Sequence, residues 1–234
     1  MANLPTVEIE MIGDTVCAWT WVGKRHLEEA IELRKDQAKF EQRWRSVFLD
    51  EKFMGEKTTP HLEWLAGEYG ADVAKLMADK KLDLFTMGHA KGIDFDTSRH
   101  MADSTRSHCL IHYAGSVGLD VQERLVEHLL KIHFKDARNV NDMDVLLEAA
   151  KEVGLELEAS KAAMEDSKLK EQVWAEHQRA RKELGVKDLP FFVMSLKGHS
   201  DEGTPRSFKH DEPTACLVAC IDELLAKHQG NGVQ

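Results

Sequence analysis

The sequence predicts a mixed α/β fold in which a sheet built from both ends of the chain is interrupted by an all-helical insertion. Near the amino terminus, residues 6–12 alternate apolar and charged side chains, and a helix and a second strand follow. From about Thr58 the apolar period becomes helical and stays so as far as Leu184. A short apolar run at 189–194 then predicts a third strand. Strands at both ends with helices between them favour this class.

The amino-terminal segment predicts a strand–helix–strand unit. In the first strand, Thr6–Ile12, apolar residues alternate with glutamates, which is the period of a strand with one buried face. A Gly-Asp pair interrupts it, and a helical pattern begins after Cys17. Residues 39–49 carry aromatic side chains on one face and predict the second strand. A strand, a helix and a strand in this order are typical of a parallel crossover.

Apolar stripes with helical spacing predict the helical insertion. A last long pattern ends at Gly185, a residue type that commonly caps helices. The third strand follows with a proline at its start, where a missing amide donor is tolerated, and Pro213 predicts the start of a final helix. The four clearest stripes are Leu62, Leu65, Ala66 and Tyr69; Val73, Leu76 and Met77; Val121, Leu125 and Leu129; and Met143, Leu146, Leu147 and Ala150.

Composition limits the partners. The 234 residues carry a net charge of -10, and no basic patch is apparent, so we expect neither nucleic acid nor an anionic membrane as a partner. The start resembles no signal peptide, and no run of 18 apolar residues is present. We therefore expect a soluble cytoplasmic protein with reduced cysteines. A homodimer is possible, and the sequence does not determine the oligomeric state.

Cys17 is the candidate nucleophile. It lies at the predicted junction of strand and helix, where unpaired amides and the helix dipole favour a thiolate. An ordinary thiol is only about 3% ionised at pH 7, so we expect a pKa lowered by about two units. The alternative is a small buried apolar residue, which is common for free cysteine. Cys216 and Cys220, four residues apart on the final helix, are interpreted as core thiols rather than a second redox pair.

The residues around Cys17 resemble the active-site stretch of the DsbA-like branch of the thioredoxin superfamily. Similar residues continue along the chain, in a second strand, in Ala102–Ile111, and in a segment that matches the family's Gly-Val and Val-Pro-Phe-Phe-Val pattern. Among subgroups the chain is most similar to the FrnE-like dithiol-disulfide isomerases, with 2-hydroxychromene-2-carboxylate isomerases and kappa-class glutathione transferases as relatives. The matching residues are Asp14, Val16, Cys17, Trp19, Trp21, Val22, Gly23, Lys24, Trp44, Phe48, Leu49, Gly185, Val186, Leu189, Pro190, Phe191, Phe192 and Val193.

The resemblance implies a thioredoxin-like fold. We expect residues 1–55 and 181–234 to form the thioredoxin-like domain and residues 56–180 to form a helical insertion domain. The resemblance further implies that the peptide bond before Pro190 is cis and faces the active cysteine. It also implies that the backbone of Leu189 pairs with an extended substrate or with glutathione.

The resemblance also assigns residues around the cleft. Trp19 and Trp21 are expected to supply apolar walls. His108 falls on the family histidine, and the inserted helices around it are expected to close the cleft.

The active-site motif departs from the family at one decisive position. Thr20 replaces the second, resolving cysteine, and Ala18 replaces the proline of the family's Cys-Pro-Trp-Cys motif. A dithiol pair escapes a mixed disulfide by internal attack, which a lone thiol cannot do. We therefore expect a Cys-x-x-Thr site with catalytic residues Cys17 and Thr20, in which the Thr20 hydroxyl donates to the thiolate.

The sequence thus favours a thiol-disulfide oxidoreductase or isomerase that acts through a single cysteine. Glutathione is the expected cosubstrate, or a protein or small-molecule disulfide the substrate, with no tightly bound cofactor and no metal site. One alternative is a kappa-like glutathione transferase or glutathione-dependent isomerase of a small electrophile, in which Cys17 or Thr20 activates the glutathione thiol. Another is a redox-silent, peptide-binding member of the family.

Overall fold

A four-stranded mixed sheet joins the two ends of the chain. The computed structural model describes residues 4–55, 58–198, 204–207 and 214–231. The strand order is β2-β1-β5-β6, with β1 parallel to β2 and β5 antiparallel to both β1 and β6. The strands of this sheet are β1 (Thr6–Gly13), β2 (Lys39–Ser46), β5 (Phe191–Leu196) and β6 (Thr204–Ser207).

The predicted parallel crossover is confirmed. Helix α1 (Ala18–Glu32) connects β1 to β2, and the alternating apolar residues of β1 are buried as expected. Strand β2 ends at Ser46 rather than at Leu49. The physical reason is that the backbone N–H of Leu49 is used elsewhere, since it donates to the Asp14 carboxylate at 2.6 Å. The chain therefore leaves the sheet just before the site.

The middle of the chain is helical, as predicted. A one-turn 3₁₀ helix (Glu51–Phe53) precedes this block, a π turn (Arg179–Glu183) ends it, and Gly185 follows with a positive φ of 64°. Pro213, the predicted start of the last helix, lies outside the described residues. The helices are α2 (His61–Tyr69), α3 (Ala71–Ala78), α4 (Asp83–Ala90), α5 (Thr105–Val117), α6 (Leu119–Phe134), α7 (Met143–Glu152), α8 (Leu157–Glu165), α9 (Ser167–Gln178) and α10 (Thr214–Asn231).

Two features of the helical block differ from the prediction. A two-residue antiparallel pair, β3 (Thr59–Pro60) with β4 (His100–Met101), was not expected, because two residues are too few to show a strand period. Tyr69 and Leu76, predicted to face the core, are 61% and 41% exposed. Tyr69 lies on the short helix α2 and Leu76 on the short helix α3. These helices cover a cavity rather than a closely packed layer of core side chains.

The sheet and the helical block share one apolar core. A single cluster extends from Val7 and Ile9 of β1 to Leu110 of α5 and Leu129 of α6. The division into residues 1–55, 56–180 and 181–234 stays a prediction. No helix in the described parts of the chain combines the length and the apolar character needed to cross a bilayer.

One buried histidine of this core provides a test of the fold. His133, on α6, is fully buried, and neither ring nitrogen has a partner with hydrogen-bond geometry among the described residues. Burial, and then the nearby Arg99 charge, lower the pKa of His133 to about 3. The unfolded chain therefore binds a proton at this residue below about pH 6.5 that the folded chain excludes, so stability falls as the pH falls below 6.5.

We expect His133→Leu to flatten this pH dependence. Each such histidine contributes at most about 1.4 kcal/mol of lost stability per pH unit below pH 6.5. Urea unfolding at pH 7.5, 6.5 and 5.5 should show a smaller loss for the variant than for the natural chain. The control is His89→Leu, because the side chain of His89 is exposed. An unchanged slope in His133→Leu would contradict the prediction.

Candidate active site

Cys17 caps the amino terminus of α1, directly after β1. Its backbone N–H donates to the Asp14 carbonyl at 3.1 Å, and its carbonyl accepts from Thr20 N–H at 3.0 Å. The end of β1 comes very close to this first turn, since a Cβ at Gly13 would lie only 2.7 Å from Cγ2 of Thr20. Glycine is therefore required there. The predicted position of Cys17, between strand and helix, is confirmed.

The expected low pKa of Cys17 is wrong. Cys17 is only 5% exposed, and burial raises the pKa of its thiol. The Thr20 hydroxyl and the backbone N–H groups of Thr20 and Trp19 lower it, whereas the Asp14 charge raises it again. The Thr20 hydroxyl is thus near enough to lower the pKa of the thiol, although Thr20 Oγ1 has no partner with hydrogen-bond geometry among the described residues, and desolvation outweighs the lowering groups. At neutral pH the resting thiol is protonated.

Asp14 is the buried charge beneath this thiol. Its carboxylate accepts the backbone N–H groups of Leu49 at 2.6 Å and of Val16 at 3.3 Å. Burial alone would raise the pKa of Asp14, but His108 and these donors, together with Ser104, hold it below its usual value. Asp14 is therefore an ionised carboxylate at neutral pH.

His108 lies behind Asp14 and does not line the cavity. It is on α5, fully buried, with Nε2 at 3.3 Å from Asp14 Oδ1, and its ring packs against Phe48. Because Nδ1 accepts from Trp44 Nε1 at 3.4 Å, the proton of a neutral His108 is on Nε2, facing the carboxylate. The geometry therefore connects His108 to Asp14, while its predicted contact with substrate remains a prediction.

Cys17 lies on the wall of a cavity of about 380 Å³. This volume falls in the range of small-molecule sites. Apolar side chains from the start of α1, from α2 and from α3 form most of the wall, and three polar residues join them. The lining residues are Val16, Cys17, Ala18, Trp19, Leu49, His61, Trp64, Leu65, Tyr69, Val73, Met77, Leu82, Asp83, Leu84 and Arg99.

The two predicted tryptophans have different locations. Trp19 is half-buried and lines the cavity, and its role in substrate binding stays a prediction. Trp21 does not line the cavity. It is buried between Phe95 and Phe134 and donates from Nε1 to Glu127 at 3.2 Å. Two residues along α1 rotate the side chain by about 200°, which carries Trp21 to the opposite side of the helix and into the core.

Leu189 and Pro190 are buried at the start of β5. The peptide bond between them is cis, as the resemblance implied. Leu189 and Cys17 belong to the same apolar cluster, together with Ile12 of β1 and Val47. The fold therefore brings the far end of the chain to the junction that holds Cys17.

The other cysteines are separate from the site. Cys109 is buried in a different cluster, beside Phe48, and burial raises its pKa to about 12. Cys220 is buried as expected, but Cys216 is exposed. Four residues rotate a helix by about 400°, so the two side chains differ by about 40°, which is enough to place Cys216 outside the core.

Sequence reasoning missed two polar residues of the cavity wall. Arg99 and His61 line the cavity beside Cys17, and both are buried. Arg99 directly precedes β4, and His61 directly follows β3. Neither short strand has a readable period, so no signal in the sequence placed these residues together.

This fold and site define a thioredoxin-like protein with a cysteine at the start of its first helix. The model of the DsbA-like thioredoxin domain matches residues 8–209. The chain belongs to the DsbA-like thioredoxin domain family.

Solved structures with this fold include proteins with several activities. A probable DsbA oxidoreductase from Streptomyces coelicolor is 25% identical, with a TM-score of 0.77 over 94% of this chain and 90% of that chain. The cytosolic disulfide reductase DsbM from Pseudomonas aeruginosa, solved with GSH, is 17% identical, with a TM-score of 0.58 over 96% and 98%. A 2-hydroxychromene-2-carboxylate isomerase is 13% identical, with a TM-score of 0.63 over 97% and 100%. A search of curated proteins found no match.

The contact between Thr20 and Cys17 can be tested by titration. Because the Thr20 hydroxyl lowers the pKa of the thiol, we expect Thr20→Val to raise it and to slow alkylation at pH 8 severalfold. The measurement is the rate of iodoacetamide labelling of Cys17 against pH, in a Cys216→Ser background that removes the exposed thiol. Thr20→Ser keeps a hydroxyl and should behave like the natural chain. If the alkylation rate of Cys17 has the same pH midpoint in Thr20→Val and in the natural chain, the Thr20 hydroxyl does not lower the pKa of this thiol.

Proposed function

We propose that the protein is a thiol-disulfide oxidoreductase or isomerase that reacts through Cys17 alone and uses glutathione to complete its cycle. The observation that carries this proposal is the position of Cys17, at the first turn of α1 and on the wall of a cavity, with Thr20 where a second cysteine would be needed for internal resolution. Family membership supports the same chemistry. Glutathione would be supplied by a reducing compartment such as the cytoplasm.

The proposed reaction has two exchanges. Cys17 loses its proton, its thiolate attacks one sulfur of a disulfide, and a new S–S bond forms as the old one breaks. The departing thiolate takes up a proton. A glutathione thiolate then attacks the mixed disulfide, so that Cys17 leaves as a thiolate and glutathione carries the sulfur group away. Because burial raises the pKa of Cys17, the first exchange becomes faster as the pH rises above neutral.

A second candidate is a glutathione-dependent transferase or isomerase of a small electrophile. The cavity favours it, because a volume of about 380 Å³ with mainly apolar walls suits a small molecule rather than an extended protein segment. In this case Cys17 or Thr20 would activate the glutathione thiol without forming a lasting disulfide. Turnover of an aryl halide with reduced glutathione, without an adduct on Cys17, would favour this candidate.

Oxidised glutathione tests the first proposal directly. We expect one glutathione on Cys17, seen by intact mass and peptide mapping, and removed by dithiothreitol. The adduct should form faster at pH 9 than at pH 7, because more thiolate is present. Cys17→Ser should lose this adduct, whereas Cys216→Ser, which lacks the exposed thiol of α10, should keep it. If Cys17 forms no glutathione adduct and the aryl halide is not converted either, a redox-silent, peptide-binding role gains support.

Restoring the second thiol tests the assignment of position 20. In Thr20→Cys we expect the oxidation of a reduced two-cysteine peptide to increase at least tenfold, because an internal thiol can now resolve the mixed disulfide. The matched control is Thr20→Ser, which has the size of cysteine without its sulfur. A Thr20→Cys variant that folds but gains no dithiol activity would contradict the assignment.

A further inference from the structure

Arg99 is a buried cation with an unused donor in the wall of the cavity. Its side chain is among the largest that are fully buried, at 1% exposure. Nη1 donates to the Asp96 carbonyl at 2.7 Å, Nη2 lies 3.0 Å from His61 Nε2, and the guanidinium carbon is 5.0 Å from the centroid of the Phe134 ring. Nε has no hydrogen-bond partner in the described part of the chain.

The Arg99 charge forms no ion pair with a carboxylate of the described residues. Burial lowers the pKa of Arg99, but only to about 10, so the guanidinium is charged at neutral pH. The Asp96 charge acts on Arg99 and raises its pKa, but the Asp96 carboxylate makes no ion pair with the guanidinium and instead accepts the backbone N–H and hydroxyl of Ser98. Buried charges are normally paired, because desolvation is costly. The resting Cys17 thiol is protonated and does not supply the missing negative charge.

His61 offers a second unused donor beside Arg99. Since Arg99 Nη2 can only donate, His61 Nε2 accepts, and the ring proton is on Nδ1. Burial, and then the Arg99 charge, lower the pKa of His61 to about 2, so the ring is neutral. Nδ1 is buried and has no partner among the described residues. Both residues line the cavity that contains Cys17.

We propose that Arg99 and His61 form an anion-binding subsite beside Cys17, and that the substrate is a small, mainly apolar disulfide that carries a carboxylate. The apolar walls would hold its body, the carboxylate would lie against Arg99 and His61, and one of its sulfur atoms would face Cys17. Arg99 Nε and His61 Nδ1 are themselves covered, so a small shift of the two side chains would bring these donors to the carboxylate. Asp83, the acidic residue of the lining, is exposed, and its charge is therefore solvated at the cavity edge. The reaction at sulfur rests on the proposed function of Cys17, whereas the anion subsite does not.

Two aromatic disulfides of different charge test this selectivity. The probes are 5,5′-dithiobis(2-nitrobenzoate), whose rings carry carboxylates, and 4,4′-dithiodipyridine, which is uncharged at pH 7.5. All variants are made in a Cys216→Ser background. We expect Arg99→Gln to slow the reaction of Cys17 with the anionic probe at least tenfold relative to its reaction with the neutral probe. The rate ratio of Arg99→Lys should lie between those of Arg99→Gln and the natural Arg99. Arg138→Gln, which removes an exposed arginine paired with Glu148, should leave the ratio unchanged. An equal change for both probes, or none, would overturn the subsite.

Binding without reaction separates this inference from the proposed function. With the natural chain we expect 2-naphthoate to raise the melting temperature more than the uncharged 2-naphthalenemethanol, because ligand binding to the folded state stabilises it. This comparison needs neither a reactive Cys17 nor a folded Arg99 variant. If the two ligands give equal shifts, the anion subsite is overturned. If 2-naphthoate binds preferentially while neither disulfide modifies Cys17, the subsite stands and the proposed thiol chemistry fails.

Discussion

The site depends on one buried carboxylate, Asp14. Its oxygens accept the backbone N–H of Leu49, where the chain leaves β2, and that of Val16, and Nε2 of His108 on α5 lies 3.3 Å from it. This single side chain therefore ties together the end of β1, the exit from β2 and the helical block. Because it lies beneath the first turn of α1, it also places a negative charge close to the Cys17 thiol. The same interaction that fixes the position of the thiol opposes its ionisation.

A protonated resting thiol changes the chemistry that the site favours. DsbA is a strong oxidant because its reduced form is stabilised, and its active cysteine has a very low pKa. The raised pKa of Cys17 removes that stabilisation. A thiolate of higher pKa is also the stronger nucleophile and the poorer leaving group. At neutral pH the small thiolate fraction slows attack by Cys17 more than the higher nucleophilicity speeds it, because nucleophilicity rises only about half as steeply as the pKa on a logarithmic scale. The poorer leaving group also disfavours the release of oxidising equivalents, in agreement with the loss of the second thiol at Thr20.

The sequence predicted long periodic elements well and local environments poorly. The β1–α1–β2 unit and the position of Cys17 could be predicted, because alternation and helical spacing extend over many residues. The pKa of Cys17 could not, since it depends on burial by residues far along the chain, such as Ala180, Val186 and Leu189. Arg99 could not be assigned either. Its position follows from a two-residue strand pair, and the consequence of that position, an Nε donor without a partner among the described residues, is visible only in the structure.

The helical block also limits what can reach the thiol. Cys17 lies between the apolar cluster that contains Leu189 and the cavity closed by α2 and α3. Leu189 and Pro190 are absent from the cavity lining, but Trp19 and Leu49 line the cavity and also pack against the cluster of Leu189. The two surfaces are therefore adjacent at Cys17. The outer rim of the cavity includes Tyr69, which is 61% exposed. Much of the cavity wall is thus formed by α2 and α3, elements that lie outside the thioredoxin-like strands.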